Sequence, residues 1–244
     1  MDVLIEPTRS KGEPHLPENG LLLINPGEAD YCARSSKKQG DKQFFLFNSK
    51  LFCREANHPF FWAGPMVGAP MAAMALEKLI ALGGKRFIAY GWCGALQQAL
   101  TVGDLLLPTW ATSEEGTSGH YPCDQPPAAS SSLSQQLADH FTAMNVKTLS
   151  GPVWTTDAPY RETRQKVTSY AEQGILAVEM EFAALAAVAA FRGVELAAAL
   201  LVSDELWREH WTPGYQRKDF RQKNRAMVES LLQFSQNSSS AKEK

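Results

Sequence analysis

Short apolar runs alternate with stretches of helical spacing along most of this chain. Apolar residues at 21–25, 44–47, 51–52, 60–63 and 86–90 form runs too short for helices and bounded by Gly, Pro or Asn, the pattern of buried strands. The series continues at 105–111, 146–154 and 175–178 and ends at Val202-Ser203-Asp204. Between these runs, 71–82, 133–144, 161–173 and 220–234 place apolar positions on one helical face, and 182–190 is Ala-rich. Strands alternating with helices over the whole length predict one α/β domain with a largely parallel or mixed sheet. The polar segment 1–19, broken by Pro7, Pro14 and Pro17, reads as an arm; 20–234 is the domain, and 235–244 a disordered tail. The polar stretch 113–132 reads as a long loop, a functional flap or a mobile segment.

Candidate chemistry gathers where strands end. Pro26-Gly27 stops the first strand and leaves Glu28 and Asp30 in a loop at its C-terminal end, where open α/β sheets place ligands; turn acids that are only solvated are the plainer alternative. Two glycine-bearing strand ends follow, at 64–70 and at Gly91-Trp92-Cys93-Gly94-Ala95. Tyr160 and Trp154 are candidates for an aromatic wall or for core. In Val178-Glu179-Met180-Glu181 the two acids either cap the Ala-rich helix or serve a site, because charged groups at an apolar strand end need a partner or a task. Asp204 poses the same choice.

Composition narrows the partners. With 24 basic and 26 acidic residues among 244, the formal charge of -2 offers neither a nucleic-acid footprint nor a polybasic membrane patch. Small molecules and further copies of the chain are the expected partners. Cys32, Cys53, Cys93 and Cys123 show no metal-type or scaffold spacing, so no zinc and a reducing cytoplasm are expected. No signal-type segment and no run long enough to span a bilayer is present, which excludes a membrane role and points to the cytoplasm.

Six motifs in order carry a resemblance that spans residues 21–232. Asn25-Pro26-Gly27-Glu28, Gly68-Ala69-Pro70, Gly91-Trp92-Cys93-Gly94-Ala95-Leu96, Val102-Gly103-Asp104, Val178-Glu179-Met180-Glu181 and Val202-Ser203-Asp204 together resemble the purine nucleoside phosphorylase and uridine phosphorylase superfamily, which includes the 5′-methylthioadenosine/S-adenosylhomocysteine nucleosidases. The resemblance implies a single α/β domain around a mixed, barrel-like sheet flanked by helices, working as a homodimer or hexamer. It implies that Met180 lies against ribose, that Glu181 holds the ribose hydroxyls, and that Asp204 protonates or hydrogen-bonds N7 of a purine-like base. Glu179, Cys93 and Gly94 fall in the same pocket. On that resemblance Trp92 and Tyr160 are expected to wall the base or close vacated phosphate space, and His15 to reach the sugar 5′ end from a neighbouring subunit, with a solvated histidine in a polar arm the plainer alternative.

The chain departs from that family on the phosphate side. Where phosphorolytic members carry arginines it has Tyr31, Ala89 and, by ungapped alignment, Leu46, and Trp92 replaces the phosphate-contacting hydroxyl residue. Hydrolysis of the N-glycosidic bond is the favoured expectation, with Glu28 or Asp30 as general base. Phosphorolysis through relocated arginines (Arg54, Arg161 or Arg164) and a non-catalytic nucleoside-binding protein are the alternatives. No cofactor or metal is expected, with phosphate a doubtful co-substrate.

Overall fold

The computed structural model describes residues 3–55, 59–122 and 125–237. In chain order the elements are β1 (Asn19–Leu23), α1 (Pro26–Gln39), β2 (Lys42–Leu46), β3 (Ser49–Arg54), β4 (Phe60–Gly64), α2 (Ala69–Ala81), β5 (Arg86–Ala95), β6 (Leu105–Ser113), α3 (Ser131–Ala143), β7 (Thr148–Thr155), α4 (Arg164–Glu172), β8 (Ala177–Glu179), α5 (Phe182–Arg192), β9 (Glu195–Glu205), β10 (Thr212–Pro213) and α6 (Lys218–Asn237).

β5 and β9 are the spine. They run parallel from Arg86↔Glu195 to Ala95↔Glu205, and both are buried over almost their whole length, which only near-continuous apolar strands tolerate. From β9 the sheet passes through β6, β7 and β8 and returns to β5, closing a mixed five-stranded barrel. From β5 it also extends outward as β1, β4, β3 and β2. The chain is therefore a single α/β domain with a mixed, barrel-like sheet flanked by helices. Because β1, β4, β5 and β9 are mutually parallel, their C-terminal ends lie together, and the loops that leave them share one rim.

Small side chains let the helices approach. α5 is buried at every position from Phe182 to Ala189, and it packs on α2, whose buried face is likewise mostly alanine. Six expectations change. The segment after Pro26 is not a loop: proline occupies the first helical turn, Lys37 and Lys38 the last, and Gly40 ends α1 in the left-handed region (φ 77°), so Glu28 and Asp30 sit on a helix. β5 does not stop at Tyr90 but carries Gly91 to Ala95 within the strand, because β8 and β9 pair with it there. The 113–132 stretch contains a one-turn 3-10 helix (Ser118–His120) and a bridge from Trp110 to Ala128. The helix expected from Arg161 begins at Arg164, where Thr163 accepts from the Lys166 N–H and caps it. α6 continues through Ser235, which is buried, to Asn237, so the tail begins later; 238–244, like Cys123, lie outside the described residues. The N-terminal arm is docked rather than loose. Leu16 is buried and donates its N–H to Leu82, and the Lys78 ammonium holds Thr8 O and Glu13 at 2.6 and 2.7 Å. No helix among the described residues is long and apolar enough to cross a membrane.

The alanine contact makes a test. Ala186→Leu inserts a branched side chain where no space is exposed and should destabilise the fold by about 1–3 kcal/mol in urea unfolding.

Candidate active site

The β8–α5 elbow separates the two acids that the sequence leaves side by side. The Glu179 carboxylate is turned into the start of α5, where it accepts from the N–H groups of Glu181 and Phe182 at 2.7 and 2.6 Å and from the Thr155 hydroxyl. Thr155 Oγ1 in turn accepts from Ala183 N at 3.0 Å. Glu179 is thus the cap rather than a sugar contact, since three donors occupy a side chain that is 5% exposed. Glu181 takes the other direction. Its Oε1 accepts the N–H of Gly68 at 2.6 Å, and Gly68 presents that N–H from a left-handed backbone (φ 86°) that favours glycine. Met180 lies between them, half-buried. Burial pushes both carboxyls above their ordinary range, and the charge on Glu179 pushes Glu181 further.

Asp204 closes β9 opposite Gly94. A Cβ on Gly94 would meet Leu206 at 2.3 Å and the Asp204 carboxylate at 3.0 Å, so glycine there is what admits the acid to the strand. Ser203 Oγ donates to Asp204 Oδ1 at 2.6 Å, and the Trp211 indole N–H donates to Oδ2 at 2.8 Å. Glu162, from the turn before α4, faces the same acid; burial first and Asp204 second push it up to about 7. Cys93 is buried beside them, with its thiol held well above the usual range by burial.

Glu28 lies in the first turn of α1 and is 4% exposed. Asn224 Nδ2 of α6 donates to Glu28 Oε1, while Asn224 Oδ1 accepts from the Tyr90 hydroxyl at 2.7 Å and the Trp92 indole at 3.5 Å. Glu28 Oε2 and the neighbouring Asn25 Oδ1 are buried and accept no hydrogen bond among the described residues. Burial raises the Glu28 carboxyl, and the Asn224 bond opposes that rise. The side chain lines a cleft of about 400 Å³ between α1 and α6, with Trp92, Tyr31, Tyr215 and three arginines, Arg34, Arg221 and Arg225. Trp92 stacks on Tyr215 at 6.0 Å and meets Phe220 edge-on at 5.2 Å, so its ring fills the cleft side of β5.

Other candidates fall elsewhere. Asp30 points to solvent and pairs with Lys50, which holds its carboxyl below the usual range; it is too far from burial to act as a tuned base. Tyr160 is fully exposed, while Trp154 is fully buried and stacked on Tyr170 at 4.6 Å, so these two form no shared wall. Within this chain His15 lies against Gly83 at the C-terminal end of α2, the opposite end from Gly68. Arg54 is committed to Asp41, and Arg164 holds the carbonyls of Leu206, Arg208 and Glu209. Arg161 is exposed and outside the cleft. Ala89 and Leu46 are core. Asn224, Trp211, Glu162 and the three cleft arginines escape sequence reasoning. The only signal is the spacing of Arg221, Asn224, Arg225 and Val228, which share one face of α6.

Comparison with known proteins agrees with this geometry. Residues 20–233 match the family described as the phosphorylase superfamily. A guanosine phosphorylase of Halorubrum lacusprofundi is 31% identical over 205 residues, covering 80% of this chain and 81% of that protein. A DeoD-type purine nucleoside phosphorylase of Bacillus cereus is 33% identical over 158 residues, covering 64% and 67%. Among solved structures, a Toxoplasma gondii purine nucleoside phosphorylase in complex with immucillin-H superposes with a TM-score of 0.80 at 20% identity, covering 92% of each chain. A Vibrio fischeri uridine phosphorylase does so at 0.73 and 23%, again over 92% of each.

The buried acid pair makes a stability prediction. A carboxyl whose folded pKa is raised favours folding while protonated, and that contribution is lost as pH rises through the folded value. Glu181→Gln keeps an acceptor for Gly68 and removes the charge. Thermal unfolding should therefore show the variant above wild type at about pH 8, by roughly 2–4 °C for each kcal/mol relieved, with the gap closing towards about pH 5.

Proposed function

The chain belongs to the phosphorylase superfamily, and from that premise we propose that it cleaves purine-like ribonucleosides with water as the acceptor. The family places it among enzymes that break the glycosidic bond of a nucleoside. In the proposed reaction Glu181 accepts the ribose hydroxyls, Met180 lies against the sugar, and Asp204 delivers a proton to N7 of the base. As the C1′–N bond breaks, its electron pair passes to the base. A water molecule forms the new C1′–O bond and gives its proton to Glu28. Donation from the ribose hydroxyls favours the ionised form of Glu181 against its burial, and that charge in turn favours the positive sugar of the transition state.

The observation that carries the choice of water is the orphan pair of acceptors in the first turn of α1. Glu28 Oε2 and Asn25 Oδ1 call for a donor. Water brings two donors and no charge, whereas a phosphate dianion brings a single O–H donor together with two negative charges beside the Glu28 carboxyl. A raised carboxyl held by Asn224 also suits a general base working near neutral pH. Phosphorolysis is the second reading, because Arg34, Arg221 and Arg225 line the same cleft and the relatives above are named phosphorylases. The proposal further includes a cytoplasmic homo-oligomer. The exposed Phe45, Phe47, Met74 and Phe191 along the groove beside the arm support self-association.

Product analysis decides the acceptor. Purine nucleosides should release free ribose at the same rate with and without phosphate, and pyrimidine nucleosides more slowly, whereas ribose 1-phosphate formed only with phosphate would reverse the assignment. Glu28→Gln should lower kcat by about 10²- to 10⁴-fold with little change in KM. Because burial raises Glu28, wild-type kcat/KM should be lost as pH is lowered, with a midpoint above the ordinary carboxylate value of about 4.3, and that acid limb should vanish in Glu28→Gln.

A further inference from the structure

The most exposed polar contact in the site is also the least explained by folding. Trp211 is 58% exposed, yet its indole N–H is delivered to Asp204 Oδ2 at 2.8 Å. The segment that carries it needs no such tether. At its start Arg164 binds the carbonyls of Leu206, Arg208 and Glu209. At its end Thr212 and Pro213 pair with Glu205 and Asp204, and Gly214 donates its N–H to Ser203 O at 2.8 Å. A half-open indole adds little burial to a loop already fixed at both ends. What it does is occupy an acceptor. With Ser203 on Oδ1 and Trp211 on Oδ2, both oxygens of Asp204 already have donors.

The shape of the occupant matters. Indole is a fused five- and six-membered ring system whose N–H lies on the five-membered ring and can only donate. A free purine is the same fused shape, with an N–H on its five-membered ring. A pyrimidine has neither feature. We propose that Trp211 is a built-in stand-in for a purine base: its indole holds the base's acceptor on Asp204 in the free protein, is displaced when a purine-type base enters, and returns as the free base leaves. The inference rests on reading Asp204 as the base-side acid. It makes residue 211 a determinant of base affinity rather than of the nucleophile. It also gives the pocket a reason to prefer bicyclic over monocyclic bases, since only the former replace the indole ring for ring and donor for donor.

Trp211→Phe is the sharp test, because phenylalanine keeps a flat ring and loses the donor, at an exposed position where the fold does not depend on it. Binding of free adenine, guanine and hypoxanthine is measured by calorimetry on wild type, Trp211→Phe, Trp211→Ala and Asp204→Asn, with uracil alongside. Loss of the competing donor should tighten binding of the free purines by about tenfold in both Trp211 variants, equivalent to about 1.4 kcal/mol. Purine binding that is unchanged or weaker in Trp211→Phe overturns the inference, since a supporting or stacking residue would behave that way. If Asp204→Asn weakens purine binding while Trp211→Phe does not tighten it, only this inference fails. If Asp204→Asn leaves purine binding unchanged, or no purine binds at all, the reading of Asp204 fails, and this inference with it.

Discussion

A carboxylate taken out of water must be given donors, and the way Glu179 receives them sets the rest of the site. Two of its three donors are the N–H groups of Glu181 and Phe182, so satisfying Glu179 fixes the backbone at the first residues of α5. That backbone aims Glu181 across to Gly68, which opens α2. The two helices can stand close enough for this bond because alanines line their contact. One capped helix start therefore ties the β8–α5 elbow to the β4–α2 crossover. It also leaves two acids buried within two residues of each other, an arrangement that works against stability and persists where a site requires it.

The same logic of close approach governs the other half. Gly94 admits Asp204 to β5, and the register shift between Cys93 and Gly94 turns the strand just where β9 delivers the acid. Trp92, two positions before Gly94, joins Tyr215, Phe220 and Asn224 on the cleft side. That register shift breaks the alternation that would put Trp92 and Gly94 on one face, leaving Trp92 to the cleft that Glu28 lines and Gly94 beside Asp204.

Much of this was legible in the residues. The strands and most helices follow from runs and spacing, since nearly every buried strand is continuously apolar, and the barrel-like sheet and the strand-end motifs follow from the resemblance. α1 was not legible because its buried face is only Glu28, Ala29, Cys32, Ala33 and Ser36, too weak a stripe to show as a period. Its start signal, Pro26, was present and read as a turn, and its end signal, Gly40, was not used. Glu179 could not be told from Glu181 because a strand end followed by a helix start gives two acids two residues apart opposite fates, and only the backbone at 181 decides which turns inward. Asn224 and Trp211 were silent for a different reason. Each acts through a partner 196 or 7 positions away, on an element whose own pattern reports only that it is a helix or a loop.

The cleft between α1 and α6 poses contrary demands that bear on the nucleophile. Its floor holds two acceptors in want of a donor, and its mouth holds exposed arginines. An oxyanion would be welcome at the mouth and opposed on the floor as long as Glu28 is ionised. A neutral donor is welcome on the floor whatever the charge at the mouth. Trp92 sharpens the distinction, since its ring takes up room on the cleft side and its indole N–H faces Asn224 and Glu28. The proposed choice of water rests on that difference between the floor and the mouth: a small neutral donor meets the orphan acceptors directly, while an anion meets the arginines and the Glu28 carboxyl together.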